Sequence, residues 1–152
     1  MKRHFVFSAA LVGSAMALTS SAFALSAADL VGAWQLTSAT GFDKGTALFD
    51  ANGHFAIELY KSNIPSYGSG VRTKGTPEEY KATVEGSNAL YGTYKLSGAD
   101  LLLHIEASMF PNWNGADQKR ANLTISGGEL KWTTPAPSSG GPANETVWKR
   151  AN

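Results

Sequence analysis

The chain has 152 residues, with 13 lysines and arginines against 12 aspartates and glutamates, and it contains no cysteine. No basic stripe is present to hold a phosphate backbone, so we do not expect nucleic-acid binding. Without cysteine the chain cannot form disulfides, use a thiol nucleophile or carry a lipid on a cysteine, so we expect no membrane anchor.

The first 24 residues have the three parts of a secretory signal peptide. Lys2 and Arg3 form a basic start, residues 5–18 are an apolar run, and residues 22–24 (Ala-Phe-Ala) offer small side chains where a signal peptidase cuts. The apolar run is too short to span a bilayer comfortably. We therefore predict that this segment is a cleaved signal peptide and that residues 25–152 form one domain, located in the periplasm or secreted.

Short alternating runs separated by turn residues follow the signal segment. Residues 31–39 are the first predicted strand, and an Asn-Gly pair at residues 52–53 favours a tight hairpin between strands at 45–50 and 54–60. Residues 76–79 (Thr-Pro-Glu-Glu) have an N-cap, a proline at the first helical position and a capping-box glutamate, which predict one short helix after the third strand. Five further strands are predicted at residues 89–96, 100–109, 119–126, 129–134 and 146–150.

The connections between these strands predict the fold. Nearly every link is a hairpin, so the sheet should be antiparallel and run up and down in chain order. Eight such strands can close into a barrel whose interior holds side chains or one small ligand. We therefore predict an all-β protein, a closed eight-stranded antiparallel barrel with one short helix between strands 3 and 4.

Alternation within the strands predicts which side chains face the interior. In the fifth strand the apolar residues share one face, which leaves His104 and Glu106 on the other. In the sixth strand the apolar face contains Leu123 and leaves Arg120 on the opposite face. On this pattern alone, His104, Glu106 and Arg120 lie on the outside of the barrel.

Two motifs resemble those of lipocalins. Gly32, Ala33 and Trp34 resemble the GxW motif of their first strand, and Arg150 resembles the arginine that packs across that tryptophan at the barrel floor. A planar guanidinium over an indole makes a cation–π contact, and a glycine beside it permits close backbone approach. The resemblance therefore implies a barrel floor built from Gly32, Trp34 and Arg150.

Nearly all of residues 25–152 resembles the bacterial lipocalin-like domain family. The matching segments are LVGAWQLTSA, LFDANGHFAIEL, LYGTYKL, HIEASMFPNWNGADQKR and the final WKR, and the fourth of these is the most specific to the family. Most members look uncharacterised, so the resemblance implies a barrel and a cavity rather than an activity. This chain departs from the family pattern by being short between Gly53 and Thr76, which leaves little structure to cover the barrel mouth.

The family-specific segment contains the main candidate site residues. The polar residues of the family motif favour an inward orientation for His104 and Glu106, although strand alternation favours a solvated pair on the outer wall. Trp113 either plugs the barrel end or forms a wall of the ligand site, and Arg120 pairs either with Glu106 or with a ligand anion. Tyrosine hydroxyls can also orient a ligand. The predicted ligand-binding residues are Tyr60, Tyr91, Tyr94, His104, Glu106, Trp113 and Arg120.

Three functions are compatible with this sequence. The first is a periplasmic protein that binds a small, apolar or amphipathic molecule in the barrel cavity. The second is a cofactor-free lyase, isomerase or cyclase in which His104 and Glu106, or a tyrosine, transfer protons. The third is a filled structural barrel that acts through its surface. We predict no metal site and no cofactor, because outside the signal segment only His54 and His104 are available as histidine ligands and no phosphate-binding loop is found.

The signal peptide gives the first testable prediction. We expect cleavage after Ala24, because the small residues at positions 22 and 24 follow the apolar run at the usual distance. The intact mass of protein recovered from the periplasm should correspond to a chain that begins at Leu25. Retention of residues 5–18 in that mass would contradict export with cleavage.

Overall fold

Eight antiparallel strands close on one another in chain order, each paired with its neighbours and the last paired with the first. A computed structural model describes residues 25–151, and the predicted signal peptide lies outside them. The predicted all-β closed barrel is confirmed. The strands are β1 (Gly32–Ala39), β2 (Lys44–Phe49), β3 (His54–Tyr60), β4 (Ser87–Ser97), β5 (Asp100–Ser108), β6 (Asp117–Ser126), β7 (Glu129–Thr134) and β8 (Asn144–Arg150).

Within residues 25–151, three short helices accompany the barrel: α1 (Ala27–Leu30), α2 (Pro77–Gly86) and one 3-10 turn at Pro111–Trp113. The helix predicted between the third and fourth strands is α2. Its N-cap is Thr76, whose hydroxyl accepts a hydrogen bond from the Glu79 amide at 3.2 Å, while the Glu79 carboxylate accepts one from the Thr76 amide at 2.8 Å. This reciprocal capping box explains where the helix begins. Within residues 25–151, no helix has both the length and the apolar character that crossing a membrane requires.

The two ends of the barrel are built differently. At one end, called here the floor, tight turns join β2 to β3, β4 to β5 and β6 to β7. At the other end, called the mouth, a short connection joins β1 to β2, longer connections join β3 to β4, β5 to β6 and β7 to β8, and the longest of these contains α2. Short turns leave no room beside the strand ends, whereas the longer connections can surround an opening.

A contact between the first and last strands closes the floor. Trp34 is fully buried, and the guanidinium carbon of Arg150 lies 4.1 Å from the centroid of its ring. The same guanidinium donates hydrogen bonds to the carbonyl oxygens of Val31 at 2.9 Å and Asp29 at 2.6 Å. The indole N–H of Trp34 donates to the carbonyl oxygen of Leu30 at 2.8 Å. Arg150 and Trp34 together hold α1 beneath the barrel.

Glycine is required at position 32 by the same contact. The backbone of Gly32 has a φ of 125°, a conformation that residues with a Cβ rarely adopt. A Cβ added there would lie 3.0 Å from Nη1 of Arg150. The first strand can therefore start close beneath the guanidinium only with glycine at this position.

Replacing Arg150 should reveal how much the floor contact stabilises the fold. We expect Arg150→Ala to lower the free energy of unfolding by about 1–3 kcal/mol, because it uncovers the indole and frees two carbonyl oxygens. Arg150→Lys should also be destabilising, since an ammonium cannot stack and donate in the same geometry. Urea denaturation measures both, with Lys149→Ala as the exposed neighbouring control. Wild-type stability in both Arg150 variants would contradict a stabilising floor contact.

Candidate ligand-binding site

A cavity of about 600 Å³ opens at the mouth of the barrel. Its inner wall is made of buried side chains from β3, β4, β6, β7 and β8. Most of these are apolar or aromatic, and the polar ones are one arginine and two threonines. The buried lining residues are Ile57, Leu90, Arg120, Trp132, Thr134, Thr146 and Trp148.

The connections at the mouth supply the outer part of the lining. Val84 and Glu85 of α2 are exposed and line the opening, as do Phe110 and Trp113 from the β5–β6 connection. Phe110 and Trp113 stack edge to face, with ring centroids 5.6 Å apart and planes at 78°. Trp113 is half-buried, and it forms part of the cavity wall.

Short hydrogen bonds fix the turn that contains Trp113. The side-chain oxygen of Asn114 accepts from the amide of Ser108 at 2.8 Å, and the amide of Gly115 donates to the carbonyl oxygen of Ile105 at 2.7 Å. Pro111 begins the 3-10 turn, where its missing N–H leaves no donor unpaired. The unusual composition of this connection therefore places an aromatic side chain at the mouth.

Arg120 is the one charged side chain in the buried part of the lining within residues 25–151. Only 6% of its surface is exposed, and no ion pair found among these residues includes it. Its guanidinium donates one long hydrogen bond of 3.3 Å, to the carbonyl oxygen of Lys119. Burial lowers the pKa of Arg120 to about 10, so the group still carries its positive charge at neutral pH.

A β-bulge explains why Arg120 faces inward. The pairing of β6 with β7 slips between Ala121 and Thr124, and Asn122 has a φ of 55° within this irregular stretch. The slip shifts the alternation by one residue, so that Arg120 and Leu123 are both buried although they are three positions apart. The prediction from uninterrupted alternation, which placed Arg120 outside, is wrong for this reason.

His104 and Glu106 do not line the cavity, and their predicted inward orientation is wrong. Leu103 and Ile105 are buried, so the two-residue period of β5 turns both polar side chains outward. The side chain of His104 is 52% exposed, and its Nδ1 lies 2.7 Å from a carboxylate oxygen of Asp117 on the neighbouring strand. The pair that forms on the outer wall is therefore His104 with Asp117, and the predicted Arg120–Glu106 pair is absent from the described ion pairs.

A comparison with protein families agrees with this architecture. The family model for the lipocalin-like domain matches residues 31–151. The chain belongs to the lipocalin-like domain family. A solved structure of a lipocalin-like protein from Bacteroides uniformis is similar to this chain at 16% identity and a TM-score of 0.45, covering 81% of this chain and 99% of the other. No curated protein matches the sequence.

The three tyrosines predicted to bind ligand lie elsewhere in this lipocalin-like domain. Tyr60 is on the outer face of β3, where its hydroxyl donates to Glu58 at 3.3 Å, and Tyr91 is 52% exposed on the outer face of β4. Tyr94 faces the interior and is buried, but its hydroxyl donates to the carbonyl oxygen of Asp50 at the floor, at 2.8 Å. Burial raises the pKa of Tyr94. None of the three lines the cavity, and their prediction as ligand contacts is not supported by their positions.

Besides two aliphatic residues of β3 and β4, the predicted ligand-binding residues left out four buried residues of the cavity wall. Trp132 and Trp148 lie with ring centroids 5.2 Å apart, and Thr134 and Thr146 are the buried threonines of the same wall. All four lie on the inward faces of β7 and β8. The alternation in ELKWTT and NETVWKR could have identified them, because each tryptophan and its threonine are two positions apart and share one face of the strand, while lysine and glutamate residues lie on the other.

The bulge gives a prediction about the backbone that positions Arg120. Asn122→Val should lower the free energy of unfolding by about 1–2 kcal/mol, because a β-branched residue tolerates the left-handed conformation poorly. Asn122→Gly should stay close to wild type, since glycine adopts this conformation freely. Thr124→Val on the same strand, exposed and beyond the slip, is the matched control. Equal urea midpoints for Asn122→Val and wild type would contradict a bulge held at this residue.

Proposed function

We propose that this lipocalin-like domain is exported to the periplasm after cleavage of its signal peptide and binds a small, largely apolar molecule in the barrel cavity. The observation that carries the proposal is the cavity itself, about 600 Å³ in volume and walled by buried apolar and aromatic side chains. Pockets that bury a drug-sized ligand typically have volumes of roughly 300–1,000 Å³ and a similar lining.

The lining also favours binding over a filled barrel that acts through its surface. A filled interior would need large side chains reaching across the mouth end, as Trp34 and Tyr94 do at the floor. At the mouth end the wall residues instead surround a space, and the aromatic pair Phe110–Trp113 lies beside its opening. An apolar molecule that enters this space removes both its own surface and the exposed lining from water.

The orientation of β5 argues against the proton-transfer alternative. Its predicted proton-transfer groups were His104 and Glu106, or a tyrosine. His104 and Glu106 project outward from the barrel, and no tyrosine is among the described residues that line the cavity. Among the described residues that line the cavity, the titratable groups are Lys61, Glu85 and Arg120, of which Glu85 is exposed at the mouth. A buried arginine that stays protonated cannot serve as a general base.

Binding can be tested with a neutral fluorescent probe and a variant that fills the cavity. N-phenylnaphthylamine should bind the mature wild-type protein with enhanced emission. Leu90→Trp should weaken that binding about tenfold or more, roughly 1.4 kcal/mol or more, because the added indole occupies part of the ligand volume. Tyr91→Trp is the matched control, since the neighbouring residue of β4 faces outward and is 52% exposed.

Thermal midpoints of both variants show whether each retains the fold. Binding unaffected by Leu90→Trp in a folded protein would place the probe outside the cavity and contradict the proposal. Absence of any probe binding to the wild-type protein would also contradict the proposal.

A further inference from the structure

The buried guanidinium of Arg120 has fewer partners than its chemistry requires. Arginine presents five N–H donors in a planar fork, and a buried charge is stable only when it is paired and hydrogen-bonded. In the described residues, Arg120 donates one hydrogen bond of 3.3 Å and pairs with no carboxylate. The fold therefore keeps an uncompensated positive charge inside an apolar wall.

One further donor of the same wall also lacks a protein partner. Trp148 lines the cavity, and its buried indole N–H finds no acceptor within residues 25–151. Thr134 and Thr146 are buried residues of the same lining and add two hydroxyl groups to it. A buried donor without an acceptor costs free energy in the folded protein, so the unpaired donors of Arg120 and Trp148 around one cavity point to an acceptor that enters from outside.

We propose that Arg120 recognises the carboxylate of a monoanionic, otherwise apolar ligand, with the carboxylate inside the barrel and the apolar body directed toward the mouth. This inference rests on the proposed function, because it assigns a chemical class to the molecule bound in that cavity. The planar fork of arginine matches the two oxygens of a carboxylate, which can accept two parallel hydrogen bonds from it.

The single buried cation of the described cavity wall, Arg120, favours a ligand with one negative charge. Arg120 is the one buried cation in the described lining, and Lys61, at the strand end, is only half-buried. A phosphate monoester carries up to two negative charges near neutral pH, so one of them would enter the apolar wall without a partner. A carboxylate is neutralised by Arg120 alone, and the exposed Glu85 at the mouth disfavours a second anionic group there.

The rest of the wall fits an apolar body. Trp132 and Trp148 present an aromatic surface in the buried part of the cavity, and Phe110 and Trp113 present another at the mouth. A ligand whose acid group reaches Arg120 can therefore pack its remaining atoms against aromatic and aliphatic side chains. A small polar acid would leave most of this wall in contact with water.

Two probes that differ only at the acid group test the inference. Dansyl-labelled undecanoic acid carries the carboxylate, and its methyl ester has the same body without the charge. We expect the wild-type protein to bind the acid at least tenfold more tightly than the ester at neutral pH. In competition against the bound acid, dodecanoate should displace it more effectively than dodecyl phosphate does, and inorganic phosphate should not displace it.

Variants at position 120 separate recognition from structure. Arg120→Met keeps the length of the side chain and removes the charge, so the preference for the acid should be lost while the ester binds as in wild type. The thermal midpoint of the ligand-free protein should stay the same or rise, because an uncompensated buried charge has been removed. A merely structural arginine predicts a lower midpoint instead. Lys119→Met, on the exposed face of the same strand, should keep the preference.

The possible outcomes are distinct for the two proposals. If acid and ester bind equally well, or if the acid preference survives Arg120→Met, the carboxylate inference is wrong and the binding function stands. If dodecyl phosphate competes better than dodecanoate, the ligand class is wrong. If N-phenylnaphthylamine binds but the acid does not, the inference is again overturned. If neither dansyl probe nor N-phenylnaphthylamine binds, both proposals fail.

Discussion

Closure of the sheet into a barrel is the constraint on which the other features of this protein depend. Because the eight strands share one interior, the two-residue period of each strand decides which side chains meet there. Residues of β5 obey this period throughout the buried stretch, which sends His104 to the solvent. In β6 the slip near Asn122 reverses the period and brings Arg120 inside. The irregularity at Asn122 therefore places a positively charged side chain in the buried lining of the cavity.

The difference between the two ends explains why the cavity lies where it does. At the floor, Tyr94 stacks edge to face against Phe49 at 5.1 Å between centroids, and Trp34 is covered by Arg150. Large aromatic side chains and short turns leave no space between these strands. At the mouth three of the four connections are longer, and exposed residues of these connections, such as Val84, lie around the opening. We infer that the packed floor stabilises the closed sheet, so that the mouth can surround a cavity without large side chains filling it.

The sequence predicted the strand order, the capped helix and the pairing of Trp34 with Arg150, because each depends on local pattern or on a short motif. Alternation alone placed Arg120 outside, since a bulge depends on how two strands pair and leaves little trace in alternation, and its choice as a ligand-binding residue came from the family-specific segment. The inward orientation expected of His104 from the family motif is wrong, because Leu103 and Ile105 on either side of it are buried and alternation turns His104 outward. For Trp132 and Trp148 the alternation of β7 and β8 indicates inward-facing side chains, but alternation alone does not distinguish the wall of a cavity from a filled core.

The two interior arginines show how environment separates a structural role from a recognition role. Arg150 lies on the face of an indole and donates to two backbone carbonyl oxygens, so the protein itself satisfies much of its hydrogen-bonding capacity. Arg120 is more deeply buried, yet the described residues offer it one acceptor at 3.3 Å and no carboxylate. Burial raises the free-energy cost of an unpaired guanidinium. It also strengthens the electrostatic attraction between that guanidinium and an anion bound beside it, because little water is present to screen the two charges. The poor pairing of Arg120 within the protein is therefore the property that would allow a ligand to bind there strongly.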